Sequence, residues 1–285
     1  MLARRFQTIL PDLSKEEIID VIKIYSTKGL LKNKNYISIK RPFRSPHHTS
    51  SYYSLTGGGM YPKPGEISLA HHGTLLLDEM GEFNGSLLET LRQPLEDGII
   101  TISRSNSSIT YPSRFILIGT MNPCKCGFAF EEEKECKCPP SAIKKYWSKI
   151  SGPLLDRIDL IVYVPKLTKD EMLSYKNSEC SNAVKKRVIE TRYLQTKRYK
   201  CSTKLNSSLT VKEIKNHCVL TDESYDYLKN TLYKLLISGR TYNKILKVAR
   251  TIADMEKSDN IKNHHLAESI NYCNLMKINM LHNIF

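Results

Sequence analysis

The spacing of apolar positions changes along the chain, and each change predicts a different kind of element. Residues 1–35 read as helical: Ser14-Lys15-Glu16-Glu17 has the form of an N-cap followed by acidic first-turn residues, leading into Ile18, Ile19, Val21, Ile22 and Ile24. From 41 to 66 this pattern gives way to Pro, Gly, Ser and His, with Gly57-Gly58-Gly59 and Pro62-Lys63-Pro64-Gly65 among them. That composition predicts a long ordered loop or insertion, and long loops in compact domains tend to be functional. Strands are expected at Thr74–Leu77, Phe115–Met121 and Leu160–Val164, a hairpin across Ile99–Tyr111 around Ser105-Asn106-Ser107, and a helix between Leu87 and Leu95. Strands alternating with helices make this first region α/β. After Pro165 the spacing is helical throughout, with Leu228, Leu232, Leu235 and Leu236, then Ile245, Leu246, Val248, Ile252 and Ala253, so a second, helical domain is expected to begin near residue 170. No internal repeat or low-complexity tract interrupts either part.

Length and charge narrow this further. At 285 residues there is chain for two ordinary domains. Lys and Arg number 43 against 29 Asp and Glu, a net charge of +14, which favours polyanionic partners such as nucleic acid or nucleotide. An AT-rich genome, over-supplying Lys, Asn, Ile and Tyr, would produce the same excess. With 40% hydrophobic and 25% charged residues the chain is not disordered, and no apolar run reaches the roughly 18 residues of a membrane span. Nothing resembling a secretory h-region follows Met1, so a cytoplasmic location is expected, with reduced cysteines.

The candidate chemistry sits at the ends of predicted strands. Leu75-Leu76-Leu77 runs into Asp78-Glu79; at the carboxyl edge of an α/β sheet one carboxylate can hold the water shell of Mg²⁺ beside nucleotide phosphates while its neighbour polarises an attacking water. A strand followed by Asp-Glu is common, and alone it carries little. Phe115–Met121 then ends in Asn122, suited to orienting water near a γ-phosphate or simply a turn residue before Pro123. Leu154-Leu155-Asp156-Arg157-Ile158-Asp159 offers an arginine of the finger type, or an ion pair of Arg157 with Asp156 or Asp159.

Four of the eight cysteines cluster as Cys124-Lys125-Cys126 and Cys136-Lys137-Cys138. Two close thiol pairs suit tetrahedral Zn²⁺, in a structural site with no open position, and unliganded thiols are the alternative. Cys180, Cys201, Cys218 and Cys273 read as core thiols. The basic run Lys185-Lys186-Arg187 with Arg192, Lys197, Arg198 and Lys200, interleaved with Tyr193 and Tyr199, is either a solvated helix face or a contact for DNA phosphates.

Longer strings go beyond these local signals: Arg41-Pro42-Phe43-Arg44-Ser45-Pro46-His47-His48-Thr49, Pro64-Gly65-Glu66-Ile67-Ser68-Leu69-Ala70-His71, Leu91-Arg92-Gln93-Pro94-Leu95-Glu96-Asp97-Gly98, Ile150–Asp159 and Val248-Ala249-Arg250-Thr251-Ile252-Ala253-Asp254. In these the sequence resembles the magnesium-chelatase-like AAA+ ATPases of the ComM/YifB type over essentially its whole length. The resemblance implies an α/β, three-layer AAA+ core of the P-loop NTPase type over 1–168 and an all-α lid over 169–285, assembled into a homo-oligomeric ring, a hexamer. It implies ATP and Mg²⁺ as cofactors, Asp78 and Glu79 as the Walker B pair, Asn122 at the sensor 1 position, Arg157 as the arginine finger and Arg240 as the sensor 2 arginine. Ile99–Tyr111 would be the pre-sensor hairpin and 55–66 a helix 2 insertion, elements that line the pore and touch DNA in related motors. His47-His48 and His71-His72 would then support loop geometry or subunit contacts in preference to a metal.

One family element is missing from the sequence. Nowhere does Lys follow Gly, so there is no G-x-x-x-x-G-K-[ST] phosphate loop. The expectation is a chain that starts just after the loop's Lys-Thr, without the first core strand, the P-loop or the family's Lon-protease-like N-terminal domain, and with ATP binding impaired in isolation. By resemblance the intact protein is a DNA branch-migration helicase of natural transformation. The alternatives are a chelatase-type motor remodelling a protein partner, and a non-hydrolysing zinc-containing ring fragment.

Overall fold

The computed structural model describes residues 2–31, 40–104, 107–130, 134–167, 179–234 and 237–273. They form two compact units divided between Arg157 and Ile158. In the first, Leu2–Arg5 (α1) and a 3-10 turn at Phe6–Ile9 precede Lys15–Lys28 (α2). The N-terminus of α2 is fixed by a capping box: the Ser14 hydroxyl accepts the Glu17 amide while the Glu17 carboxylate accepts the Ser14 amide, and Gly29 closes the other end in the left-handed conformation. The expected helical start is thus present in its central stretch.

The core is a parallel sheet of Phe43–Arg44 (β1), Thr74–Leu77 (β4) and Ile116–Gly119 (β7) in the order β1-β4-β7. β4 is buried at every position, as a continuous apolar run between two neighbours should be. The segment anticipated as a loop holds local structure: Tyr52–Thr56 (α3), then Gly57–Gly58 (β2) paired antiparallel with Lys63–Pro64 (β3), then Glu66–Leu69 (α4). Gly57 is required there, because its φ is +99° and a Cβ would lie 2.3 Å from the Lys63 carbonyl oxygen. The expected helix at 87–95 is two short ones, Gly85–Glu89 (α5) and Arg92–Asp97 (α6). Ile99–Arg104 (β5) and Ser107–Pro112 (β6) form the expected hairpin, in register from Ile99↔Pro112 to Arg104↔Ser107; Ser105 and Asn106 lie outside the described residues. Pro140–Trp147 (α7) and Gly152–Leu155 (α8) complete the unit.

The second unit begins without the expected strand. Leu160–Val164 is not a strand: it has no ladder partner among the described residues, and its Ile161 amide donates to the carbonyl of Tyr272, on a helix, at 2.9 Å. Leu160, Val162 and Val164 are accordingly exposed. Alternation in the sequence records what a strand could bury, but a strand forms only where another supplies the ladder. Helices follow at Ser181–Tyr199 (α9), Val211–His217 (α10), Asp222–Lys234 (α11), Gly239–Met255 (α12) and Asn263–Cys273 (α13). Leu228, Ile245, Leu246, Ala249, Ala253, Leu266 and Ile270 make the core. Leu235 and Leu236 fall outside the described residues. Cys218 and Cys273 are core thiols as expected, whereas Cys180 is exposed and Cys201 only partly buried. The buried charges were not anticipated: Asp254 accepts from Arg198, from Arg250 Nε at 3.1 Å and from Asn206 Nδ2 at 2.8 Å. Tyr199 packs against the same core. Two members of the supposed basic face therefore turn inward, and a third, Arg187, pairs with Glu179 at 2.7 Å.

Candidate functional site

The parallel register Leu77↔Gly119 carries β4 and β7 to a common carboxyl edge, where Asp78 and Thr120 are the next residues on each strand. The Thr120 hydroxyl donates to Asp78 Oδ1 at 2.6 Å and accepts the Glu79 amide at 3.0 Å. The Thr120 backbone completes the bridge, with its amide donating to the Leu77 carbonyl at 3.0 Å and its carbonyl accepting the Met80 amide at 2.7 Å. Both carboxylates are exposed. Glu79 has φ 56° and ψ 51°, in the left-handed region, and starts a 3-10 turn over Met80–Glu82. Met80 lies over Gly119, where a Cβ would come 2.7 Å from its sulfur. Thr120 was not among the residues singled out from the sequence. Asn122, which was, stands exposed two residues further along.

This edge fits half of a nucleotide site. Asp78 is accessible, oriented by a hydroxyl and able to hold the water shell of Mg²⁺; a phosphate cradle is not among the motifs of these residues.

Arg157 belongs to another part of the unit. It pairs with Glu96, donates to the Pro153 carbonyl at 2.6 Å and borders a cavity of about 640 Å³ between α3, α6 and β5, whose lining includes neither Asp78, Glu79 nor Asn122. Glu96 is a partner that the sequence did not point to. Arg240 lies in the second unit, exposed in the first turn of α12 after the Ser238 cap.

The four clustered cysteines converge. Cys124 Sγ lies 3.3 Å from Cys126 and 3.6 Å from Cys136, Cys126 lies 3.5 Å from Cys136, and all four sulfurs, Cys138 included, are within 4.8 Å of one another. Sulfurs around a tetrahedral ion with Zn–S near 2.3 Å stand about 3.8 Å apart, so the set fits Zn²⁺. The thiols are already unequal: the Phe128 amide draws Cys126 down to about 6, while desolvation and its neighbouring thiols push Cys136 up to about 12. Trp147 Nε1 donates to the Pro123 carbonyl at 2.9 Å, tying α7 to the start of this knuckle.

Two other clusters do not suit a metal. His71 stands beside His72 and Asp20, and His265 beside His264 and Glu256. The Nδ1 atoms of His71 and His265 accept the amides of Arg114 at 3.0 Å and Lys262 at 2.9 Å, which leaves the proton of each neutral ring on Nε2 and no lone pair there for an ion.

With an exposed acidic edge on a parallel sheet, a cysteine knuckle that follows it in the chain and a helical second unit, the architecture is consistent with an AAA+-like core plus helical domain. Comparison with known families agrees: residues 1–172 match Magnesium chelatase, subunit ChlI, and residues 178–273 match Magnesium chelatase, subunit ChlI C-terminal, so the chain belongs to the magnesium chelatase ChlI family. Its relatives include YifB of Salmonella typhimurium, 44% identical over 95% of this chain and 53% of the relative, and the competence protein ComM of Haemophilus influenzae, 41% identical over 98% and 54%. A magnesium-chelatase subunit ChlI homolog of Methanocaldococcus jannaschii is 28% identical over 47% of the chain and 36% of its own length. The chain spans about half the length of the curated relatives YifB and ComM. Among its described residues no helix is long and apolar enough to cross a membrane.

Proposed function

We propose that this chain is the hydrolytic edge and helical lid of an AAA+ ATPase ring that couples ATP hydrolysis to DNA remodelling, by branch migration. The observation that carries the reading is the Asp78–Thr120–Glu79 bridge: two exposed carboxylates held at the carboxyl edge of a parallel sheet. Asp78 would hold the water shell of Mg²⁺, Glu79 would take the proton of the attacking water and Asn122 would orient that water. Arg157 would exchange Glu96 for the phosphates of a neighbouring subunit, and Arg240 would reach the nucleotide from the lid. Bound Mg²⁺ supplies charge neutralisation at the phosphates.

DNA is favoured over a protein substrate by the +14 charge. It is also favoured by the exposed face of the β5–β6 hairpin, where Thr101 pairs with Thr110 at 3.1 Å and Ser103 with Ser108 at 3.3 Å, a row of hydroxyls able to bond phosphate oxygens. The four cysteines would hold a structural Zn²⁺, with every ligand position filled by protein.

The test is ATP hydrolysis, with and without DNA, by the 285-residue chain and by a form extended upstream through its coding sequence, each beside Glu79→Gln. DNA-stimulated hydrolysis abolished by Glu79→Gln supports the reading. Hydrolysis indifferent to Glu79→Gln removes Glu79 from the chemistry, and none in either form leaves a non-catalytic ring component.

A further inference from the structure

Helix α7 touches both the cysteine knuckle and the turn that holds Glu79. It starts at Pro140, two residues after Cys138, and its last residue, Trp147, donates to the Pro123 carbonyl immediately before Cys124. The preceding residue, Tyr146, is 3% exposed and lies with its phenol against Gly81, where a Cβ would come 2.2 Å from the ring. The same phenol meets the backbone of Asn122. Just past the helix, Lys149 Nζ donates to the Gly81 carbonyl at 2.6 Å. Gly81 is two residues from Glu79, inside the 3-10 turn that Glu79 begins. On the strand side, Cys124 is four residues from Thr120, whose hydroxyl and carbonyl hold the amides of Glu79 and Met80.

We propose that α7 is a lever by which a thiophilic divalent ion held by Cys124, Cys126, Cys136 and Cys138 sets the turn carrying Glu79, with Tyr146 and Lys149 as its positioning residues. The proposal rests on reading the four cysteines as a metal centre. The physical reason is closure. With an ion in place, Cys124 and Cys138 become two fixed points, so the strand leaving Thr120 and the helix entering at Pro140 share one rigid origin, and the helix end is pressed onto Gly81. Without the ion, only sulfur–sulfur contacts join the two arms, and each moves separately. Gly81 admits the contact because it has no side chain; its φ is not in the left-handed region, so alanine fits the backbone while its Cβ meets the Tyr146 ring first.

Trp147 is the single tryptophan of the chain, and its bond to Pro123 makes its fluorescence a reporter of the knuckle. The experiment uses the 285-residue chain, stripped with a chelator and reloaded with Zn²⁺, or with Co²⁺ for its thiolate-to-cobalt absorption. It follows Trp147 emission together with hydrogen exchange of the amides of residues 79–83. The expected result is that loading shifts Trp147 emission and slows exchange across 79–83 about tenfold. In Gly81→Ala and Lys149→Met the cobalt spectrum and the Trp147 shift persist while the slowing falls below about twofold, and Lys149→Arg restores it. Slowing that is equal in wild type and both variants overturns the lever. So does a normal cobalt spectrum with no change at 79–83 in the wild type, an outcome that leaves the metal centre standing. Absence of the cobalt spectrum removes the metal centre and the proposal together.

Discussion

Thr120 and Asp78 each follow a different strand, 42 residues apart in the chain, and share a hydrogen bond of 2.6 Å at the point where the sheet ends. The same hydroxyl takes the Glu79 amide, so one small side chain orients one carboxylate and fixes the backbone of the next.

Replacing Thr120 with valine keeps the shape and removes both bonds. The expected cost is about 1–2 kcal/mol in urea denaturation, with faster hydrogen exchange at the Glu79 amide. Thr120→Ser, which retains the oxygen, should recover most of both. A valine variant as stable as the parent would mean that the bridge contributes nothing net.

Asp254 is fully buried between Arg198 and Arg250, and Asn206 donates to it as well. Asp254→Asn leaves Arg250, itself 1% exposed, without its counter-charge. Breaking one side of a buried pair costs about 3–5 kcal/mol, so the second unit should unfold at markedly lower denaturant, read by helical circular dichroism. A loss below about 1 kcal/mol would show that water reaches the arginines.

His71 should make the first unit acid-sensitive. Burial holds its imidazole down to about 4 from the ordinary 6.5. Above pH 6.5 the ring is neutral in both states and its contribution is complete. As pH falls from 6.5 towards 4 the unfolded chain takes up the proton before the folded one does, and stability drops by something on the order of 2–3 kcal/mol. His72, also held down by burial, acts with the same sign. His71→Gln, which can still accept the Arg114 amide, should flatten most of this slope in denaturation series between pH 7 and 4; an unchanged slope would assign it to other groups.

The sequence reveals contiguous features of this site far better than those made by folding. Asp78 and Glu79 announce themselves at the end of Leu75-Leu76-Leu77, and the cysteine pairs by their spacing, because strand and ligands are neighbours in the chain. Thr120 is invisible in that way: its role arises from the register Leu77↔Gly119, which no local pattern encodes. The inward turn of Arg198, within a run that reads as either a solvated face or a DNA contact, is hidden for the same reason, since the carboxylate that draws it inward lies 56 residues away. Leu160–Val164 differs in the opposite sense, as its alternation is real but no ladder partner stands among the described residues. β1, only Phe43–Arg44, is too short for any periodicity.

The left-handed backbone of Glu79 has a thermodynamic consequence. Outside glycine and asparagine that conformation costs about 1–2 kcal/mol, and here it falls on the residue after Asp78, where the chain has left β4. Folding alone would favour glycine at this position, so Glu79→Gly should fold at least as stably as the parent while losing its acidic group. Under the proposed function that cost is stability given up for chemistry, and its expected sign is a Glu79→Gly variant that folds at least as stably as the parent yet does not hydrolyse ATP.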